Sequence, residues 1–240
     1  PPVAAQAVAM QAMANPVTAR AIRFGEAPDA EACLVEARCG AEGSEAVLRL
    51  HGREIVLRLA VPGRHMVRNA LAATAAAEAL GADPAAFAAA LADFAAGPGR
   101  GLRERLAVPG GEILLLDESY NASVASVRAA LAVLGVQPAG RRVAVLGDML
   151  ELGDSGPALH ASLAADAARN ADLVFCCGPL SRHLYDLLPA GRRGAHAPDS
   201  AALASTLADA LRPGDAVMVK GSLGSRMALV VAALRGQKAA

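Results

Sequence analysis

The sequence predicts an α/β protein, in which a β-rich first part with two helices precedes a doubly wound parallel sheet. Short apolar runs alternate with helical patterns from Ile113 onward, as they do when helices cover both faces of a parallel sheet. Before that, four β-like runs lie between Ala21 and Leu59. The glycines and the proline of "AAGPGRGLRERL" (Ala95–Leu106) mark a boundary. We therefore divide the chain into residues 1–20, 21–104 and 105–240.

The first part reads as strands followed by helices. Residues 1–20 are rich in alanine and weakly patterned. The runs "AIRFG", "EACLVEARC", "EAVLRL" and "EIVLRL" follow, and the last two predict a hairpin that turns at His51–Gly52. Two helices are then predicted, at about Met66–Leu80 and Pro84–Phe94. The first is expected to stop at Gly81, and the second to start near Pro84, which is a good first-turn residue.

The second part reads as a regular alternation of strands and helices. The predicted strands are Ile113–Leu116, Val143–Leu146, Leu173–Cys177, Gly194–Ala197 and Ala216–Val219. The predicted helices are Val124–Leu134, Pro157–Arg169, Leu180–Leu187, Ala201–Leu211 and Arg226–Leu234. All of these elements are short, as expected for a sheet whose crossovers are single helices.

Composition excludes several classes of function. The 240 residues carry 23 basic and 23 acidic side chains and only 2% aromatic residues, so neither general attraction to nucleic acid nor stacking on single strands is expected. No apolar run is long enough to span a bilayer, and the first residues lack the basic start of a signal peptide. The four cysteines form no C-x-x-C pair, which favours reduced, buried thiols in a cytosolic protein.

Polar loops follow the predicted strands. Ligands of open α/β sheets bind beyond the carboxyl ends of the strands, so these loops are the first place to look for a site. They read "DESYNAS", "GDMLELGDSG", "GPLS", "APDS" and "KGSLGS". Asp199 and Ser200 in "APDS" are typical helix caps, and Ser181 in "GPLS" is similar.

Lys220 is delivered by a strand into the small-residue loop "KGSLGS". Backbone amides there, with Lys220 as a point charge, could hold an anion; a tight turn with a solvated lysine is the alternative. The loop is not a Walker A motif, and no strand is followed by G-x-G-x-x-G. Phosphate cradles of those two kinds are therefore absent from this sequence.

The other candidate site residues allow a functional and a structural interpretation. Asp148 and Glu151 could bind a cation or an ammonium group, or could cap the next helix, and His160 beyond them is typical of a structural histidine. His65 and Asn69 share one helix face and suit contacts to a base or phosphate, or a capping or interdomain role. Arg100 could clamp charge between domains or pair with a nearby acid.

Five stretches together resemble the Mur ligase family. They are "GRHMVRNALAATAAAEALG", "GPGRGLRE", "LLLDESYNAS", "VLGDMLELG" and "GDAVMVKGSLGS", in the order in which that family carries them. The resemblance implies that residues 21–104 are the distal part of the central ATP-binding domain and residues 105–240 the Rossmann-like C-terminal domain. It also implies that the first domain, the P-loop and the carbamylated lysine of relatives are not in this sequence.

The resemblance also implies roles for individual residues. His65, Asn69, Arg100, Asp117, Glu118, Tyr120 and Asn121 would contact the nucleotide, with Asn69 at the adenine, Glu118 at the ribose and Arg100 at the phosphates or ribose in a catalytic role. Lys220, Ser222, Asp148 and Glu151 would contact the substrate. Four positions differ from the family pattern, namely Met66, Ser123, Val124 and Leu223. No metal ligand is assigned within this chain.

The activity that the resemblance implies is ATP-driven amide bond formation in peptidoglycan precursor synthesis. D-Ala-D-Ala would be joined to UDP-MurNAc-tripeptide with ATP and Mg²⁺, in the bacterial cytoplasm, by a monomer that binds neither nucleic acid nor membrane. The chain alone is expected to be inactive. A non-catalytic nucleotide-binding or interaction module is the alternative, and a G-T-N-G-K-T-like segment upstream in the reading frame would decide between them. A third interpretation, a nicotinamide-dependent oxidoreductase, fits the alternating pattern of strands and helices, but the sequence lacks the G-x-G-x-x-G motif that such an enzyme carries after a strand.

Overall fold

The chain forms two compact units that divide between Phe94 and Ala95. The structure is a computed structural model that describes residues 21–236, so the weakly patterned segment 1–20 lies outside the described residues. The boundary stretch predicted at Ala95–Leu106 begins at this division, and the assignment of residues 21–104 and 105–240 to two domains stays a prediction. Residues 102–104 belong to a strand of the second unit's sheet, because that strand begins at Leu102.

The first unit contains a four-stranded sheet in the order β1-β2-β3-β4. The strands are β1 (Phe24–Gly25), β2 (Ala32–Cys39), β3 (Ser44–Leu50) and β4 (Arg53–Leu59). β2, β3 and β4 are antiparallel, and β1 pairs with β2 in parallel. The predicted hairpin at His51–Gly52 is confirmed: both residues have positive φ, 46° and 80°, as a two-residue type I′ turn requires.

Two helices cover one face of this sheet. Helix α1 (Arg64–Ala79) packs on β2, and helix α2 (Pro84–Ala90) packs on β4. Apolar positions three and four apart give α1 its buried face, namely Val67, Ala70, Leu71 and Ala75. The Asp83 carboxylate accepts hydrogen bonds from the amides of Ala85 and Ala86 and so begins α2, which ends in a 3-10 turn at Leu91–Asp93.

The second unit contains a six-stranded sheet in the order β5-β6-β10-β7-β8-β9. The strands are β5 (Leu102–Val108), β6 (Gly111–Glu118), β7 (Arg141–Leu146), β8 (Leu173–Cys177), β9 (Arg193–Ala197) and β10 (Asp215–Lys220). The five strands predicted for this sheet are confirmed, and β6 to β10 run parallel. β5 was not predicted; it lies antiparallel at the edge, in a hairpin with β6.

Helices cover both faces of the second sheet, as predicted. They are α3 (Val124–Gly135), α4 (Gly156–Ala161), α5 (Ala164–Asn170), α6 (Arg182–Tyr185), α7 (Ser200–Ala210) and α8 (Ala228–Leu234). Successive β10 residues point to opposite cores: Ala216 and Met218 pack with α3, α5 and α6, while Val217 and Val219 pack with α7 and α8. This alternation explains why β10 reads as an unbroken apolar run.

Some predicted helices are shorter than expected. The helix predicted at Pro157–Arg169 is interrupted at Ser162–Leu163 and forms α4 and α5, and the one predicted at Leu180–Leu187 is only the single turn α6. Arg226 does not begin a helix, because its φ of 54° is left-handed. Of the four free cysteines, Cys33, Cys176 and Cys177 are buried as predicted, whereas Cys39 is half-buried.

Candidate functional site

The loops after β6, β7 and β10 meet at the carboxyl edge of the second sheet. β10 lies between β6 and β7. The helix after β10, α8, packs in one core, whereas α3 and α5, which follow β6 and β7, pack in the other, so neighbouring strands send their connections to opposite faces of the sheet. A ligand crevice forms at such a point in open α/β sheets. Lys220 is in register with Glu118 on one side and with Leu146 on the other.

Glu118 and Lys220 form a buried ion pair at this edge. The Lys220 ammonium is 3.4 Å from a Glu118 carboxylate oxygen and donates a 2.9 Å hydrogen bond to the Asn121 carbonyl. The side chain of Lys220 is 3% exposed and that of Glu118 is 19% exposed. A solvated lysine, one of the two predicted interpretations, is therefore excluded, because the ammonium faces the protein interior.

Burial dominates the electrostatics of this pair. It raises the pKa of the Glu118 carboxyl, and the Lys220 charge opposes that rise only in part. Burial also lowers the pKa of the Lys220 ammonium, against the opposing effect of Glu118. Both groups are thus moved toward their neutral forms, which means that desolvation outweighs their mutual attraction.

Asp117 is turned away from Glu118 and is held in a separate network. One of its carboxylate oxygens accepts hydrogen bonds from the Ser119 amide (3.2 Å) and hydroxyl (2.6 Å). The other accepts from the Arg235 guanidinium at 3.2 Å, and Arg235 also pairs with Glu104 of β5. Adjacent strand residues point to opposite faces, so Asp117 supports the loop from behind. Its assignment as a nucleotide contact stays a prediction.

Arg100 and Tyr120 form an exposed stack beside the ion pair. The Arg100 guanidinium carbon lies 4.1 Å from the centre of the Tyr120 ring, which is 44% exposed. The Tyr120 amide donates to the Gly99 carbonyl at 3.1 Å. Gly99 has a φ of 72°, and a Cβ there would lie 2.9 Å from the Tyr120 Cβ, so glycine permits this close approach. The stack presents a cation and an aromatic edge to solvent.

Asp148 uses its carboxylate for backbone amides of a neighbouring loop. The two oxygens accept from the Ser181 amide at 2.7 Å and from the Leu180 amide at 3.3 Å. The capping interpretation is thus the one that the contacts support, although the turn that it caps is α6 and not the next helix. The assignment of Asp148 as a substrate contact stays a prediction. Glu151, with a φ of 63°, is exposed, and its assignment also stays a prediction.

Two serines tie the loop after β10 to its neighbours. The Ser222 hydroxyl accepts from the Leu150 amide at 3.0 Å and lies 3.5 Å from the Ala122 carbonyl, while its amide donates to the Asp148 carbonyl. The Ser225 hydroxyl accepts from the Asp148 amide at 3.0 Å. The loops after β6, β7 and β10 are therefore one bonded assembly, and the role of Ser222 as a substrate contact stays a prediction.

His160 is a structural histidine, as its interpretation from sequence favoured. Its Nε2 accepts from the Met149 amide at 2.8 Å, so Nδ1 carries the proton and donates to the Gly156 carbonyl at 2.7 Å. The ring is buried. It fixes the "DMLELG" loop to α4 and presents no nitrogen to a ligand.

In the first unit, His65 and Asn69 lie in the first two turns of α1. Their spacing of four residues places them on one side of the helix, as predicted. His65 is half-buried and Asn69 is exposed. α1 begins at Gly63, whose φ is 110°, without a side-chain cap. The adenine contact assigned to Asn69 stays a prediction.

Neither a metal cluster nor a membrane span is found within residues 21–236. No three His, Cys, Asp or Glu side chains in that range converge as metal ligands. The helices in the same range are too short or too polar to cross a bilayer. No Mg²⁺ site is therefore assigned to the described residues.

Sequence reasoning missed the residues that hold the loops. Arg235, which follows the last predicted helix, was not singled out, yet it pairs with Asp117 and Glu104. Ser225 was noted only as the last residue of "KGSLGS", yet its hydroxyl accepts from the Asp148 amide. The sequence gives no signal for either contact, because both partners come from distant parts of the chain.

The fold and these loops match those of a known protein family. Residues 103–223 match the family described as "Mur ligase, glutamate ligase domain", a range that contains β5 to β10 except for the first residue of β5, and all of the strand-end loops except the last residues of "KGSLGS". The chain therefore belongs to the Mur ligase family, as the resemblance predicted.

Several curated relatives of this chain carry one name. The chain is 38% identical over 196 residues to UDP-N-acetylmuramoyl-tripeptide--D-alanyl-D-alanine ligase of Escherichia coli, covering 80% of this chain and 42% of that protein. It is 33% identical to the ligase of the same name from Synechocystis, covering 81% and 44%. The chain thus spans less than half the length of these curated relatives.

Solved structures agree with the fold. MurF from Acinetobacter baumannii superposes with a TM-score of 0.77 at 26% identity, covering 90% of this chain and 47% of that one. MurF ligase from Thermotoga maritima in complex with ADP superposes with a TM-score of 0.73 at 22% identity, covering 90% and 48%. At that lower identity the likeness concerns the fold alone.

Proposed function

We propose that this chain is part of an ATP-dependent ligase that joins D-Ala-D-Ala to UDP-MurNAc-tripeptide in peptidoglycan precursor synthesis. The observation that carries the proposal is the 38% identity, over 80% of this chain, to a ligase whose name states that reaction. The convergence of the loops after β6, β7 and β10 supports it, because that is where α/β sheets bind ligands.

We propose that residues 21–94 derive from the central domain of the family and residues 95–236 from its C-terminal domain. Arg100, Glu118, Tyr120 and Asn121 would then contact the nucleotide from the second unit. His65 and Asn69 are proposed nucleotide contacts of the first unit. The protein would act as a monomer in the bacterial cytoplasm.

The proposed reaction runs in two steps. The tripeptide carboxylate attacks the γ-phosphorus of ATP, which forms an acyl phosphate and releases ADP. The dipeptide amine then attacks the acyl carbon, and phosphate leaves from the tetrahedral intermediate with the C–O electron pair. Arg100 is the cationic side chain of this chain that could stabilise charge on the phosphates. The remaining contribution of the residues described here is positioning.

Phosphate release tests the proposal in two proteins. The 240-residue sequence has no G-x-x-x-x-G-K-[ST] motif, so this polypeptide alone should release no phosphate from ATP with both other substrates present. A fusion that adds the part of the Escherichia coli relative outside the matched region should release phosphate only when ATP, UDP-MurNAc-tripeptide and D-Ala-D-Ala are all present.

The controls separate a ligase from a binding module. Replacing D-Ala-D-Ala by L-Ala-L-Ala should abolish the dipeptide-dependent release, since the methyl groups of the two dipeptides point in opposite directions. A folded fusion that binds ADP but never responds to D-Ala-D-Ala would contradict the proposal and identify a non-catalytic nucleotide-binding module. Full turnover by the 240-residue chain would contradict the expected division of the active site.

A further inference from the structure

The five residues Glu118–Ala122, here called the tyrosine loop, are held at their first half by backbone contacts. The Ser119 amide donates to Asp117, and the Tyr120 amide donates to the Gly99 carbonyl. These bonds fix where the loop leaves β6. They do not fix its return toward α3, where the carbonyls of Asn121 and Ala122 need donors.

Two side chains of the β10 loop meet those carbonyls. Lys220 donates to the Asn121 carbonyl at 2.9 Å, and the Ser222 hydroxyl lies 3.5 Å from the Ala122 carbonyl. Lys220 also neutralises Glu118 at the start of the same loop, at 3.4 Å. One buried ammonium therefore joins both ends of the tyrosine loop.

Stability does not explain this ion pair. Apolar side chains of similar volume commonly replace a buried pair at no cost or with a gain in stability. Burial of both charges here outweighs their attraction, as the opposite pKa shifts of the two groups indicate. Lys220 contacts both ends of a loop that carries an exposed tyrosine, which suits a role in setting the backbone position of that loop.

We propose that Lys220 is a positioning residue, which fixes the tyrosine loop through the Asn121 carbonyl and Glu118 so that Tyr120 and Asn121 are presented at the carboxyl edge. It acts through the loop and does not touch the ligand, in contrast to the substrate contact predicted from sequence. The identity of the ligand, a nucleotide, rests on the proposed function, whereas the fixing of the loop does not.

The test uses three variants of the chain. Glu118→Leu/Lys220→Met replaces the pair by apolar side chains of similar volume. Lys220→Arg keeps a charged donor at the same place. Arg128→Met is the matched control, since it removes a cation from the exposed pair with Asp166 on α3 and α5. Unfolding in urea, amide hydrogen exchange of the tyrosine loop and calorimetric binding of ADP are measured for each.

The double variant should be at least as stable as the parent, yet its tyrosine-loop amides should exchange faster. Its affinity for ADP should fall at least about tenfold, because Tyr120 and Asn121 are no longer held in one place and the proposed Glu118 contact is also removed. Lys220→Arg should recover part of the protection and part of the affinity. Arg128→Met should retain both, which shows that a lost surface charge is not the cause.

One result would overturn the proposal. Unchanged loop exchange in the double variant would mean that Lys220 does not hold the loop, and a fall in ADP affinity with that result would mean that Lys220 or Glu118 touches the nucleotide itself. If the parent chain binds no ADP, the nucleotide part of the proposed function fails, and loop exchange alone still decides whether Lys220 positions the loop.

Discussion

At the scale of single residues, Asp148 shows how a strand-end loop can supply its own anion. The amides of Leu180 and Ser181 point into the edge of the sheet, and the Asp148 carboxylate accepts from both. A Cβ on Gly178 would lie 2.6 Å from that carboxylate, so the turn is shaped closely around it. The Asp148 carboxylate therefore already occupies the position at which the amides of "GPLS" could have bound an anionic ligand.

Asp148→Ala should lower the free energy of unfolding by roughly 2–3 kcal/mol, because two buried amides lose a charged acceptor. Sodium formate should restore part of that loss by placing a carboxylate in the vacated turn. Urea unfolding with formate or with sodium chloride at equal ionic strength measures the effect. Asp148→Asn, which keeps one acceptor oxygen, should lose less. Equal responses to the two salts would argue against an anion-shaped turn.

At the scale of elements, the loops after β7 and β10 cross at van der Waals contact because both carry glycine. A Cβ on Gly221 would lie 2.5 Å from the Met227 side chain and 3.2 Å from the Gly147 Cα. A Cβ on Gly147 would meet the Ser225 hydroxyl at 2.2 Å. The hydrogen bonds that Ser222 and Ser225 make to the loop after β7 depend on this close approach of the two loops.

Gly221→Ala should therefore lower the free energy of unfolding by about 1–3 kcal/mol through overpacking. The matched control is Gly191→Ala, where an added Cβ has no atom within 4 Å and φ is not left-handed; that variant should stay within about 0.5 kcal/mol of the parent. Thermal and urea unfolding measure both. Equal stability of the two variants would show that the crossing adjusts without cost.

At the scale of the whole molecule, acid stability should depend on Asp172, at the amino edge of the second sheet. Arg142 and Arg192 donate to its carboxylate and, with Arg142 contributing most, lower its pKa from 3.8 to about 2. A carboxyl whose pKa is lower in the folded state stabilises above its unfolded value, and that stabilisation is lost as the pH falls from 3.8 through about 2.

Asp172→Asn should accordingly cost about 2 kcal/mol at neutral pH, and its difference from the parent should shrink as the pH falls from 5 toward 2. Urea unfolding at a series of pH values measures that difference. Asp209→Asn, at an exposed position of α7, corrects for the loss of one carboxylate. A difference that stays constant with pH would contradict the role assigned to the two arginines.

The sheet could be predicted from sequence because its parallel strands are buried on both faces and read as apolar runs. β5 could not be predicted, since it is a half-exposed edge strand whose arginines and glutamate resemble those of a linker.

The loops that follow the parallel strands could be located from the sequence, but the contacts between them could not. Lys220 and Glu118 meet only because β10 inserts beside β6, and Asp148 caps a turn that follows β8; both facts depend on strand order.

The position of β10 has a consequence for how the polypeptide is made. Among the strands of residues 21–236, β10 is synthesised last, yet it hydrogen-bonds to both β6 and β7 and all six of its residues are buried. Until Lys220 has left the ribosome, the earlier strands have a gap at the centre of their sheet. The second unit therefore completes its core only after β10 has been synthesised, and its nascent form exposes apolar strand edges that a chaperone can bind.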